Sequence, residues 1–103
     1  MNRPIKFRAW DEIGKGMRSW EWCYPIMTRM LDVGSAHILM QFTGLLDKNG
    51  KECYEGDVVV IKGRRYEVKW NAEFAMFDPI QDTRLEEFEI IGNIYEIPDL
   101  LKP

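Results

Sequence analysis

The residues whose types and spacing come nearest to a catalytic motif are Asp57, Glu67 and Lys69. An acidic residue followed by Glu-x-Lys on a strand is the arrangement of metal-dependent nucleases, in which two carboxylates hold Mg²⁺ and the lysine aids the attacking water. The motif is short, and a nuclease core also needs a flanking helix, whereas the residues before Asp57 have the pattern of a hairpin. We therefore expect an exposed ion pair on a strand, and a protein that is not an enzyme.

The other candidate metal ligands are two cysteines, one histidine and an acidic run. Cys23 and Cys53 are 30 positions apart and His37 is close to neither, whereas a structural zinc site needs four ligands in close pairs. The acidic run lacks the spacing and the central glycine of a calcium-binding loop. Its members are Asp78, Asp82, Glu86, Glu87 and Glu89. We expect buried or half-buried thiols, a hydrogen-bonded structural histidine, a solvated acidic surface, and no metal or cofactor.

A cluster of cations gives the alternative function, nucleic-acid binding. Its members are Lys62, Arg64, Arg65 and Lys69, with Tyr66 and Trp70 between them. Cations contact phosphates and aromatic rings stack on bases. Alternation, however, places Tyr66 and Trp70 on the core side, and the formal net charge is −3, whereas a typical binder of this kind is basic. Nucleic acid is therefore a possible partner but not the favoured one.

The elements that position these residues are predicted from alternation and turn signals. Residues 5–9 alternate as a strand with one solvated face, and the glycines of 11–16 indicate a turn. Residues 19–24 alternate again, with Trp20, Trp22 and Tyr24 on one side, which predicts a second strand and a hairpin. Pro25 ends that strand or places it at an edge. For residues 26–36 a short helix and an irregular loop both remain open.

In the second half, the clearest turn signal is Asn49-Gly50, a pair typical of a type I′ hairpin turn. Residues 58–61 are apolar on both faces, which predicts a central, buried strand. The remaining predictions are a strand at 37–42, an alternating strand at 66–70, a looser stretch at 71–87, a last strand or strand pair at 88–95 bent or bulged at Gly92, and a helical turn at 98–101.

Short strands separated by frequent turns are typical of a small barrel or sandwich, so the predicted fold class is mostly β. Residues 56–70 have the pattern of an SH3-like segment, by analogy only. The length of 103 residues suits a single domain spanning 1–103, with a possible subdivision near residue 45.

Composition and charge indicate a soluble protein that associates. Hydrophobic residues make up 46% and aromatic residues 13%, yet no apolar run approaches the roughly 20 residues of a membrane helix, and the N-terminus lacks a signal-peptide pattern. We expect a cytoplasmic location and no membrane contact. Residues 1–69 contain 12 Lys and Arg against 9 Asp and Glu, whereas residues 70–103 contain 2 against 8. The opposed charges fit either local binding of an anion or head-to-tail pairing between copies of the chain. The abundant aromatic side chains fit either an interaction surface or a tightly packed core.

Three stretches resemble the YopX family of phage and prophage proteins. They are Ile5-Lys6-Phe7-Arg8-Ala9-Trp10-Asp11, residues 41–52 (QFTGLLDKNGKE) continuing through Tyr54-Glu55-Gly56-Asp57, and Ile91-Gly92-Asn93-Ile94-Tyr95-Glu96 with Pro98 and Leu100-Leu101 behind it. They occur in the family's order and span nearly the whole chain, except for residues 17–36 and 71–87. Family descriptions have called these proteins helical, whereas the alternation in this sequence predicts strands.

The resemblance implies a protein of uncharacterised function that forms homo-oligomers in the cytoplasm of a bacterial host, with no catalytic residue to carry over. Within its signatures, Arg8, Trp10 and Asp11 are the positions that turn chemistry does not explain. A tryptophan and an aspartate at a strand end form a packing corner or line a partner groove, and we favour packing. The sequence therefore predicts a non-enzymatic, self-associating protein-interaction module, with a host or phage protein as a further partner.

Overall fold

The computed structural model describes residues 5–26, 37–80 and 87–101. These residues are mostly β, as predicted, with one short helix and a curled half-barrel sheet. The elements are β1 (Phe7–Asp11), β2 (Gly16–Arg18), α1 (Trp20–Cys23), β3 (His37–Leu46), β4 (Glu52–Tyr54), β5 (Asp57–Ile61), β6 (Arg64–Glu67), β7 (Lys69–Asn71), β8 (Met76–Asp78) and β9 (Glu89–Asn93). A 3₁₀ turn, Tyr24–Ile26, follows α1 directly.

The first sheet is antiparallel, with the strand order β2-β1-β3-β4. Its long strand β3 begins at the predicted position and runs four residues farther than the predicted end at Phe42. The pairing of β1 with β3 places Ala9 opposite Leu39 and Trp10 opposite Ile38. Trp10 is buried with three side chains of this sheet, which are Met40, Phe42 and Tyr54.

The second sheet has the order β6-β5-β9, so β5 is the central strand that its apolar sequence predicts. Val59 and Ile61 of β5 pack with Val68, Phe77 and Ile90 in the largest buried cluster of the described residues. Phe77 comes from the separate ribbon of β7 and β8, which occupies part of the stretch that the sequence left unassigned.

The strand predicted at residues 19–24 is wrong. The strand that pairs with β1 is β2, and the chain then turns into α1 and the 3₁₀ turn, since the Ser19 carbonyl accepts hydrogen bonds from the amides of Trp22 and Cys23. Aromatic residues at every second position favoured a strand. Here the rings instead contact different neighbours: Trp20 meets Phe7 and Tyr24, while Trp22 meets His37.

Of the two tight turns in the second half, the one at Asn49-Gly50 differs from the predicted type. At Asn49-Gly50 only the glycine has a positive φ, of 82°, and the connection between β3 and β4 comprises the five residues 47–51. The two-residue turn with positive φ at both positions lies between β5 and β6, where Lys62 has φ 51° and Gly63 has φ 78°. A type I′ turn requires this pair of φ angles.

The end of the described chain matches its prediction more closely. Gly92 lies at a register shift between β5 and β9, which is the predicted bulge. Residues 98–101 form a turn in which the Leu100 amide donates to the Ile97 carbonyl. Residues 27–36, left open between helix and loop, lie outside the described residues. The SH3-like assignment and the single domain stay predictions.

Among the described residues, no helix has both the length and the apolar character that a membrane crossing would need.

Candidate functional site

The four predicted cations lie on and around the hairpin of β5 and β6, and all four are exposed. Lys62 is in the turn, Arg64 and Arg65 begin β6, and Lys69 begins β7. They do not share one face, because neighbouring residues of a strand point to opposite sides. The Nη1 atom of Arg65 donates to the Leu100 carbonyl at 2.8 Å, and Lys69 lies 3.8 Å from the Glu67 carboxylate. Arg65 and Lys69 are therefore held by contacts within the chain.

The aromatic residues of this hairpin are more exposed than the sequence predicted. Tyr66 pairs with the buried Val59, so it shares the face of the core, yet 37% of its surface is exposed. Trp70 lies edge-on to the buried Phe77, with ring centroids 4.9 Å apart, and is 45% exposed. The prediction that both rings face the core is thus right about the side of the sheet on which Tyr66 lies. It is wrong about the burial of the two rings, because both lie at the margin of the core.

Two further features complete this surface. Val68, between β6 and β7, is fully buried and separates the two partly exposed rings. Phe74 lies in the turn between β7 and β8 and is 66% exposed. We call Tyr66, Trp70 and Phe74, together with Arg64, the β6–β8 surface. It combines large apolar side chains with a cation, a composition typical of protein interfaces.

Arg8 forms a buried ion pair with Asp57 that joins the two sheets. Its Nη2 atom donates to Oδ1 of Asp57 at 2.7 Å, and the guanidinium lies over the Tyr54 ring, 4.8 Å from its centroid. The second oxygen, Oδ2, accepts the Tyr54 amide hydrogen bond at 2.8 Å. Burial raises the pKa of Asp57, and the Arg8 charge and the Tyr54 amide act against that rise.

The three residues that resemble a nuclease motif, Asp57, Glu67 and Lys69, have other partners in the structure. Both oxygens of Asp57 already accept hydrogen bonds, and Glu67 instead pairs with Lys69 on the surface. Within residues 5–26, 37–80 and 87–101, no group of three His, Cys, Asp or Glu side chains is placed to hold a metal ion.

Trp10 and Asp11 have contacts of the kind that a packing corner makes. Trp10 is buried and stacks on Tyr95, with ring centroids 6.2 Å apart. Asp11 accepts hydrogen bonds from the amides of Ile13 and Gly14 through Oδ1, and from Arg18 through Oδ2. The Gly14 amide is the main reason that the pKa of Asp11 lies below its usual value. Partner contact by these residues or by Arg8 stays a prediction.

A cleft of about 270 Å³ lies between the first sheet and α1. Its charged lining is balanced, because Lys6 pairs with Glu52 and Tyr54 donates its hydroxyl hydrogen to the same carboxylate. Arg8 and Glu21 also line it, together with Trp20. The cleft therefore presents no excess of either charge.

Asp47 is one of the buried polar residues that the sequence analysis missed. Its Oδ1 atom accepts the amides of Asn49 and Lys51, and its Oδ2 atom accepts the amide of Ile90 at 3.0 Å. The local part of this pattern has a sequence signal, because aspartate at the start of a turn commonly bonds the backbone two residues on. The hydrogen bond from the Ile90 amide has no such sequence signal, because β9 is far along the chain from Asp47.

The cysteines, the histidine and the acidic run complete the candidates. Cys23 and Cys53 are buried free thiols, as predicted, and burial raises the pKa of each. The prediction of a hydrogen-bonded His37 is wrong for the described part of the chain, because the ring stacks on Trp22, with centroids 5.4 Å apart, and neither ring nitrogen has a hydrogen-bond partner there. Of the acidic run, Glu89 lies 3.5 Å from Lys48, and Asp82 and Glu86 are outside the described residues.

Comparison with known proteins decides the family. The sequence pattern of a family described as "YopX protein" matches residues 19–102 of this chain. The chain belongs to the YopX family. The match confirms the resemblance seen in the sequence, although Ile5–Asp11, which carried part of that resemblance, lies before the matched region. No curated protein matches the chain.

Among solved structures, the chain is similar to protein EF1440 from Enterococcus faecalis. The likeness covers 98% of this chain and 100% of that one, with a TM-score of 0.70 and 22% sequence identity. At this identity the likeness shows a shared fold.

Proposed function

We propose that this YopX protein is a non-enzymatic interaction module of a phage or prophage, which acts in the cytoplasm of a bacterial host by binding copies of itself. The exposure of Tyr66, Trp70 and Phe74 on the β6–β8 surface is the observation that carries the proposal. Large apolar side chains exposed on consecutive elements support a protein interface, because burying them against a partner would remove apolar surface from water. A host or phage protein would be the further partner.

Light scattering coupled to gel filtration tests self-association. We expect the wild-type mass to rise above that of one chain as the concentration increases. We expect Phe74→Ser to reduce that rise, because it removes an exposed ring from the turn between β7 and β8. Ile13→Ser is the matched control, since Ile13 is also an exposed apolar residue in a turn, but on the first sheet. A wild-type mass of one chain at every concentration would contradict the proposal.

A second candidate is nucleic-acid binding by Lys62, Arg64, Arg65 and Lys69, favoured by the exposure of Tyr66 and Trp70. Exposed rings are able to stack on bases, which buried rings are not. Arg64 shares the face of Tyr66, because residues two apart on a strand point the same way.

Fluorescence anisotropy of labelled single-stranded DNA and RNA tests this candidate. If Arg64 contacts a phosphate, Arg64→Glu weakens binding and reduces the slope of log K against log salt by about 0.7. Lys51→Glu makes the same change of charge in the turn between β3 and β4, and leaves that slope unchanged. The absence of any anisotropy change for the wild type at low salt would exclude the candidate.

A further inference from the structure

Strand β6 is an edge of the second sheet, with β5 on its inner side. Three of its four residues, Arg64, Arg65 and Tyr66, are exposed and Glu67 is half-buried. An exposed edge strand presents backbone N–H and C=O groups that are able to pair with another strand. Natural proteins block such edges with proline, bulges, charged side chains or a short edge strand. Strand β6 is short and charged, but it contains no proline and pairs with β5 in continuous register.

The hairpin geometry identifies the groups that point outward. Ile61 and Arg64 close a two-residue turn and Tyr66 is opposite Val59, while the amide of Val68 donates to the Asp57 carbonyl. Along an antiparallel strand, alternate residues direct their backbone groups toward the same neighbour. Arg64, Tyr66 and Val68 therefore direct theirs toward β5. The amides and carbonyls of Arg65 and Glu67 point away from the sheet.

We propose, resting on the self-association proposed above, that β6 pairs antiparallel with β6 of a second copy about a two-fold axis at Tyr66. A two-fold axis normal to the sheet places Tyr66 opposite Tyr66 of the second copy. Arg65 is then opposite Glu67 of the second copy, and Glu67 is opposite its Arg65. The outward amides and carbonyls of these two residues form the hydrogen bonds on either side of the axis.

Charge selects this register over its neighbours. Moving the axis to Arg65 would place two arginines directly opposite each other, and moving it to Glu67 would do the same with two glutamates. Like charges directly opposite destabilise a strand pair, whereas opposite charges and aromatic pairs stabilise it. Only the axis at Tyr66 gives opposed charges on one face and an aromatic pair on the other.

The existing contacts of these side chains are compatible with the pairing. Arg65 bonds the Leu100 carbonyl through one terminal nitrogen, and a guanidinium has five donors to share. Glu67 contacts Lys69 at 3.8 Å, a surface ion pair of small energy. Because β6 is short, the interface is small, so the association is weak and depends on concentration.

Charge reversal tests the pairing by sedimentation of the whole chain. Arg65→Glu alone places glutamate opposite Glu67, and Glu67→Arg alone places arginine opposite Arg65. We expect each variant to associate about tenfold more weakly than the wild type, since two cross-strand pairs become repulsive. An equimolar mixture of the two variants restores opposed charges in every pair. We expect it to associate about as tightly as the wild type.

Restored association in the mixture would also show that both variants are folded, because the pairing requires a folded β6 in each chain. Lys51→Glu, with the same change of charge as Arg65→Glu but away from β6, should associate like the wild type. A wild-type chain that stays monomeric contradicts both this pairing and the proposed function. Association that both single variants leave unchanged, or that the mixture fails to restore, contradicts the pairing and leaves the proposed function standing.

Discussion

At the scale of single residues, the buried carboxylates hold the fold together. Asp57 accepts hydrogen bonds from Arg8 and from the Tyr54 amide, and Asp47 accepts three backbone amides. A buried carboxylate is costly unless its oxygens are satisfied, so each aspartate depends on the geometry around it. Desolvation acts to raise the pKa of Asp47, but the amides of Ile90, Lys51 and Asn49 outweigh it, and the pKa is lowered.

Asp47→Ala should destabilise the protein by about 1–3 kcal/mol, because it leaves the buried amide of Ile90 without its acceptor. Asp11→Ala is the matched control. It also removes a carboxylate that accepts turn amides, but those of Ile13 and Gly14 are exposed and bond water instead. Urea unfolding at neutral pH measures both changes. An equal loss in the two variants would contradict the role assigned to Asp47.

The same substitution predicts a dependence on pH. Because the folded-state pKa of Asp47 is lowered, its stabilisation is fully present above the unfolded value of about 3.9 and is lost as the pH falls through the folded pKa. The difference in stability between the wild type and Asp47→Ala should therefore be constant near neutral pH and decrease in acid. A stability difference that grows in acid would contradict the lowered pKa of Asp47.

At the scale of elements, β9 depends on the conformation of Gly92. Its φ of 155° is one that side chains rarely adopt, and a Cβ there would lie 2.7 Å from Cδ2 of Leu100. The bulge at this position lets Asn93 turn the chain, since its Oδ1 atom accepts the amides of Tyr95 and Glu96. The end of β9 and the turn after it therefore depend on the same backbone conformation at Gly92.

Gly92→Ala should therefore destabilise the protein by about 2–3 kcal/mol, since it combines backbone strain with a collision. Gly50→Ala is the control, because Gly50 also has a positive φ, of 82°, but nothing lies within 4 Å of its added Cβ. We expect it to cost about 1 kcal/mol. Thermal unfolding followed by circular dichroism compares the two. Equal losses of stability in the two variants would show that the collision with Leu100 does not contribute to the effect of Gly92→Ala.

At the scale of the whole molecule, the two sheets are joined through a few long-range contacts. The Arg8–Asp57 pair links β1 to β5, and the Asp47–Ile90 hydrogen bond links the connection after β3 to β9. The β6–β8 surface lies outside these links, so its proposed role in association places no demand on the contacts that hold the sheets together.

The sequence predicted the parts of this fold whose signals are local. The apolar run of β5 and the glycine of the β9 bulge are each visible within a few residues, and both predictions are confirmed. Residues 19–24 were predicted wrongly, because their alternating aromatic residues fit a strand as well as α1 with the turn after it, and long-range packing decides between them.

The candidate functional residues also divide into those with a local sequence signal and those whose role depends on long-range contacts. The cations were found because they are close in sequence, whereas the exposure of Tyr66 and Trp70 depends on where the core ends. The structural role of Arg8 needed its partner, Asp57, which is 49 positions away. The sequence pattern singled out Arg8 and Asp57 separately, but it could not show that the two side chains form an ion pair.

The stack of Trp10 on Tyr95 has a consequence for the growing chain. Tyr95, the ring that covers Trp10 in the folded protein, is made 85 residues after it. Until Tyr95 has been made, the first sheet lacks that cover, and its tryptophan is exposed to water or to a chaperone. The first sheet therefore reaches its finished packing only after β9 has been made.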